Sequence, residues 1–188
     1  MRIRLAQDPE ADELLGRSPL ALLVGMLLDQ QVPLERAFAG PRVIVSRLGH
    51  DLDAREIASY DPDQFAALFA AAPAVHRYPK AMAARVQALA AYLVEHYDGT
   101  AEKVWEDVRD SAELLRRLLA LPGFGRQKAQ IFLALLGKQC GVRPDGWREA
   151  AGPYGEEGVH RSVADVVDAE TLRLVRATKQ EAKRAAKK

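Results

Sequence analysis

Residues 111–137 constrain this chain more than any other stretch. They read as two helical segments joined by Leu121-Pro122-Gly123-Phe124-Gly125, with Arg126-Gln127-Lys128-Ala129 opening the second helix at once. Pro-Gly-x-Gly specifies a tight reversal, because glycine reaches backbone conformations closed to other residues. It also removes side chains that would hold a bound group away from the main chain. The amides of Gly123, Gly125 and the next helical turn then point outward at a helix N-terminus, which favours an anion. Arg126 and Lys128 add positive charge to the same rim. A plain αα-hairpin also places glycine at a helix end. The full string is more selective, with Leu121 before the turn and the apolar run Ile131-Phe132-Leu133-Ala134-Leu135-Leu136 behind it. Such a hairpin grips a phosphate backbone without reading sequence.

The rest of the chain carries helical periodicity. Ser18-Pro19 is a capping residue followed by proline at the first helical position, and a helix is expected from Leu20 to Gln31. Pro33 opens another, to about Leu48. Asp61-Pro62-Asp63-Gln64 has capping-box spacing. From Ala81 to Tyr97, Val86, Leu89, Ala90, Leu93 and Val94 share one stripe, which Asp98-Gly99 ends. Thr100 and Ser111 are expected to cap short helices. No β-branched alternation bounded by turns is found, so the fold class is all-α, one domain over residues 1–188. Residues 143–158 are rich in Pro, Gly and charge, and read as a functional loop or crossover. The tail from Leu172 reads as a basic, solvated helix carrying Lys179, Lys183, Arg184, Lys187 and Lys188.

The net charge is only +1 in 188 residues, so contact with a polyanion must come from a local basic patch. Cys140 is the lone cysteine. One thiol forms no internal disulfide and holds no iron–sulfur cluster, which takes several thiolates. His50, His76, His96 and His160 have no metal-ligand spacing. The N-terminus lacks the apolar stretch of a signal peptide, and the run Leu20–Leu28 is too short to span a bilayer. A reduced cytoplasmic, nucleoid-associated location without membrane contact is expected.

The hairpin string resembles the helix-hairpin-helix of the HhH-GPD base-excision DNA glycosylases, the superfamily of endonuclease III and adenine glycosylase. The resemblance covers roughly Ser18 to Asp145. Pro19 through Gln31 looks like the family's first core helix, which ends in a glutamine that fills the gap left by a flipped base. That match makes Gln31 the wedge, with Gln30 beside it. Tyr78-Pro79-Lys80-Ala81, its long helix and Tyr97-Asp98-Gly99 are similar to the family's segment leading into the hairpin. The resemblance implies a two-lobed helical fold with the hairpin beside a central groove, and a monomer acting on duplex DNA. Leu121, Gly123, Gly125, Arg126 and Lys128 would hold DNA phosphates. A hairpin of this type also binds K⁺ or Na⁺ through carbonyls, here those of Leu121 and Gly123. Phe124 and Phe132 are expected in the core, and Lys80 on the surface.

A glycosylase extrudes its nucleotide and cleaves the C1′–N bond, with a carboxylate stabilising the cationic sugar and activating water. Some relatives add a lysine that attacks the sugar through a Schiff base. Its position falls here on Gln127, which is no nucleophile, so the resemblance implies a monofunctional enzyme. Lys128 lies one residue on, about a quarter-turn away. The family's aspartate aligns without gaps to Asp145, with Asp165 in reserve. Gly146-Trp147-Arg148 after Asp145 departs from the family's pattern, and Asp145 equally suits a Pro-Asp-Gly turn. Asp165 equally suits the first turn of a terminal helix. The cysteines that many relatives use for a cluster are missing, so no cofactor is expected beyond the monovalent cation. The alternative is a non-catalytic helix-hairpin-helix protein that binds DNA or a lesion. Trp105, Trp147, Tyr154 and His160 are aromatic candidates for stacking on a base, with core packing or loop anchoring the simpler role. The sequence does not name the target base.

Overall fold

A computed structural model describes residues 3–187, and every regular element among them is helical. Helix α2 (Pro19–Leu28) forms the centre. Every residue from Leu20 to Leu28 is buried, as a helix apolar on all sides requires. Ser18 caps it, its Oγ accepting the Ala21 N–H at 3.1 Å. Helices α1 (Pro9–Arg17) and α3 (Leu34–Leu48) pack against it. The approach of α3 depends on missing side chains. A Cβ at Gly25 would lie 2.7 Å from the Phe38 ring, and one at Gly40 would lie 2.6 Å from Leu28.

Helix α6 (Pro79–Tyr97) gathers α4 (Ala54–Ser59) and α5 (Pro62–Ala70) on its apolar stripe. Asp98 and Gly99, with φ of 55° and 75°, end it as expected. A 3-10 turn at Ala101–Val104 leads to α7 (Ser111–Ala120), the hairpin and α8 (Arg126–Gln139). The short α9 (Trp147–Ala150) seats Trp147 on α8 at Gly137. Helix α10 (Ala169–Ala185) turns Leu172 and Val175 inward. One continuous apolar core runs from Ile3 to Val175.

Several boundaries depart from expectation. The helix expected to reach Gln31 stops at Leu28. There the Asp29 N–H turns back to Met26 O (3.3 Å) and the Gln30 N–H to Leu28 O (2.7 Å), and Pro33 disfavours helical backbone at Val32. The cap of α7 is Asp110, whose Oδ1 accepts the Glu113 N–H at 2.8 Å; Ser111 is the first helical residue. Thr100 precedes its 3-10 turn without a side-chain cap. Asp61 does cap α5, accepting the Gln64 N–H at 2.9 Å. The region expected as loop, 143–158, contains α9 and a 3-10 turn at Gly152–Tyr154. The basic helix begins at Ala169, three positions before Leu172; Lys188 lies outside the described residues. No helix among them is long and apolar enough to cross a membrane.

Candidate nucleic-acid interface

Leu121-Pro122-Gly123-Phe124 closes as a type II turn, the Phe124 N–H donating to Leu121 O at 3.1 Å with Gly123 at φ 82°. Position i+2 of that turn demands positive φ. Gly123 is also pressed onto α2, since a Cβ there would lie 2.5 Å from Leu27 Cδ1. Gly125 differs. Its φ of −75° and ψ of 177° are open to any residue, and a Cβ would meet nothing within 4 Å. Only Gly123 therefore serves the reversal, while Gly125 leaves the start of α8 bare. Phe124 is buried edge-on against Phe132, ring centroids 6.0 Å apart, a core role as expected.

The helix N-termini fall into two groups. Asp8, Ser18, Asp53, Asp61, Asp110 and Asp168 cap α1, α2, α4, α5, α7 and α10 with side-chain hydrogen bonds. Helices α6 and α8 have neither a side-chain cap nor an acidic residue in the first turn. Helix α3 also lacks a cap, but carries Glu35 in its first turn. Both α6 and α8 adjoin the turn Asp29-Gln30-Gln31. His76 Nε2 donates to Gln30 O at 2.9 Å while its Nδ1 accepts the Tyr78 N–H at the start of α6 at 3.0 Å. Burial pushes His76 below the usual imidazole pKa, in keeping with this neutral tautomer. Arg85 Nη1 lies 2.5 Å from Gln30 Oε1. On the other side, Lys128 Nζ donates to Met26 O (2.6 Å) and Leu27 O (3.2 Å).

That last contact corrects the expectation for Lys128. Its ammonium does not line the phosphate-facing rim; it is sunk beneath the hairpin, satisfying the carbonyls that end α2. Desolvation pushes its pKa down to about 8. Arg126 and Gln127 are exposed, and Gln127 Nε2 donates to Tyr154 Oη at 3.0 Å, giving Tyr154 the loop-anchoring role. Gln30 is held at both ends, donating also to Leu27 O at 2.9 Å. Gln31 is exposed in the left-handed region, φ 58°, and its side chain makes no hydrogen bond to any described residue. Of the two wedge candidates, only Gln31 is free to move. Lys80 is exposed, as expected, and so is Tyr78 with the Arg77 guanidinium 5.4 Å over its ring. Among the described residues, Leu121 O accepts one backbone hydrogen bond and Gly123 O accepts none, which leaves both carbonyls with lone pairs that could meet a monovalent cation.

The structure does not bring either predicted carboxylate to the hairpin. Asp145 occupies the turn Pro144–Trp147, where Gly146 takes φ 73° and Asp145 O accepts the Ser111 N–H at 3.3 Å. Ser111 begins α7, so its ten residues put about 15 Å between Asp145 and the hairpin. Asp165 is consumed structurally. One oxygen lies 2.5 Å from Lys138 Nζ, and the other accepts the Arg161 and Ser162 N–H groups at 2.8 and 3.1 Å. The carboxylate that does adjoin the hairpin is Asp29, which sequence reasoning passed over as part of a helix. It accepts no hydrogen bond from any described residue. Burial pushes its pKa up, Lys179 and Lys128 pull it down, and Glu35 pushes it up. Helix α10 brings Lys179 here through the ion pair of Arg176 with Glu35.

A cleft of about 660 Å³ opens elsewhere, walled by Tyr92 and Tyr97 of α6 and Glu113 and Arg117 of α7. The Arg109 N–H and guanidinium and the Arg117 guanidinium hold the Glu113 carboxyl down at about 2, so its charges are already matched. Among the described residues, no three His, Cys, Asp or Glu side chains group as metal ligands. Searches of family models, curated proteins and solved structures found no match to this chain.

Proposed function

We propose that this chain binds duplex DNA through the Leu121–Gly125 hairpin and is a monofunctional DNA glycosylase of the HhH-GPD kind, two-lobed, acting on a damaged or mispaired base. One observation carries the proposal. The two long helices with uncapped, acid-free N-termini, α6 and α8, flank a single turn that presents Gln31. Free amides and the positive ends of two helix dipoles receive phosphates, while Arg126 and Lys80 supply charge that carries no base preference. A monovalent cation on the Leu121 and Gly123 carbonyls would add positive charge facing a phosphate. Gln31 enters the stack where a nucleotide leaves it. Gln127 offers no nucleophile, and the Lys128 ammonium is committed to the end of α2, which supports hydrolysis without strand cutting.

A second proposal, a lesion-binding module without chemistry, draws on the positions of Asp145 and Asp165. Both are tests of the same protein. Gly125→Asp should weaken duplex binding at least tenfold by fluorescence anisotropy, since it puts a carboxylate where a phosphate sits. It should not destabilise the fold, because Asp caps helices at least as well as Gly. Normal binding by this variant would remove the hairpin from the interface. A single-turnover assay on lesion-bearing duplexes, read with and without alkali, then separates the two proposals. Alkali-dependent cuts mark the glycosylase; retained binding with no cuts across the panel marks the module.

A further inference from the structure

Resting on the glycosylase proposal, we infer that Asp29 is the group that meets the sugar of the extruded nucleotide. Asp29 stands immediately before Gln30-Gln31, so a nucleotide displaced by Gln31 leaves the stack beside it. Lys128 Nζ comes within 3.4 Å of the Asp29 carbonyl from the first turn of α8, which ties this residue to the phosphate-gripping helix.

The chemistry of the carboxylate separates it from its neighbours. Aspartates that cap helix starts have donors: Asp110 and Asp168 take backbone N–H groups, and Asp165 takes two N–H groups and an ammonium. Asp29 has none from any described residue, although it is half-buried. Burying a carboxylate without a donor is costly, and such groups concentrate where they act on a ligand. Its oxygens are not among the fully enclosed unpaired atoms, unlike Glu35 Oε2, so they keep contact with solvent. Burial pushes its pKa up, and Lys179 and Lys128 oppose that shift.

In the step this permits, the C1′–N bond breaks and its electron pair departs on the base. Asp29 stabilises the positive charge left on the sugar. A water oxygen bonds to C1′, one of its protons passes to the Asp29 carboxylate, and that proton then neutralises the departing base. The products are the free base and an abasic sugar, with no oxidant or metal consumed.

The test uses the full chain and two duplexes, one carrying a cationic pyrrolidine abasic analogue and one its neutral tetrahydrofuran counterpart. The wild type should bind the cationic duplex at least tenfold more tightly, and Asp29→Asn should erase that preference while holding the neutral duplex as before. Asp145→Asn should leave the preference intact. The thermal midpoint of Asp29→Asn should stay level or rise, since a half-buried carboxylate without a donor is removed. A cation preference that survives Asp29→Asn overturns the assignment, as does a wild type with none. A wild type that binds neither abasic duplex better than undamaged DNA overturns the glycosylase proposal itself.

Discussion

Gln31 adopts a backbone conformation that a non-glycine residue visits at a cost of roughly 1–2 kcal/mol, yet its side chain makes no hydrogen bond to any described residue to offset it. Strain held at an exposed polar residue is a reason to look for function there. The expected consequence is a variant in which stability and binding part ways. Gln31→Gly should raise unfolding free energy by up to about 1 kcal/mol, as glycine is at ease with positive φ. It should bind undamaged duplex like the wild type and lose its preference for an abasic-site duplex. Urea titration and competition anisotropy read the two effects; a loss of stability would mean that Gln31 holds the turn instead of probing DNA. His76 reinforces the same turn, its two ring nitrogens joining Gln30 O to the Tyr78 amide.

Among the elements, α8 divides its basic residues between two tasks that sequence alone assigns to one. Arg126 is exposed at the open N-terminus, whereas Lys128 is half-buried, its ammonium against carbonyls of α2 that lie 102 and 101 positions away in the chain. The salt dependence of duplex binding distinguishes them, because each neutralised phosphate contributes close to one unit of slope. Arg126→Ala should reduce the slope of log K against log salt by about 1. Lys128→Met should leave that slope unchanged and cost about 1.5–3 kcal/mol of stability, the scale of hydrogen bonds to a charged group. An equal fall in slope for both variants would return Lys128 to the rim. The all-helical class, α6 with its stripe, the cap at Asp61 and the hairpin turn were legible because each rests on neighbours within a few residues. Lys128, Asp29 and the end of α2 were not, because distant packing decides them. The surroundings of Asp145 were hidden for a related reason: counting 18 residues past Gln127 (145 − 127) takes no account of the path of the chain, in which Trp147 docks on Gly137 and Asp145 O meets the Ser111 N–H.

At the scale of the whole molecule, one apolar core joins two regions whose packing has different consequences for function. Glycines mark both. At Gly123, φ is 82° and a Cβ would strike Leu27 at 2.5 Å, so the hairpin sits where it does only because α2 can receive it. At Gly137, a Cβ would collide with the Trp147 ring, whose side chain is 8% exposed and stacks under Arg148 at 4.4 Å. The two alanine variants overpack comparable interfaces, and overpacking costs typically 1–3 kcal/mol. Gly123→Ala bears an added charge for positive φ and displaces the hairpin from Gln31, so stability and duplex affinity should fall together. Gly137→Ala pushes Trp147 and α9 outward at the end of α8 remote from the hairpin. It should lower the denaturation midpoint while duplex affinity, measured well below that midpoint, stays within about twofold. The contrast follows from the position of α2, whose Leu27 receives Gly123 of the hairpin directly and whose end leads into Gln31. If Gly137→Ala impaired binding as much as Gly123→Ala, the Asp145 end of the molecule would belong to the DNA interface, and the interface would extend along the full length of α8.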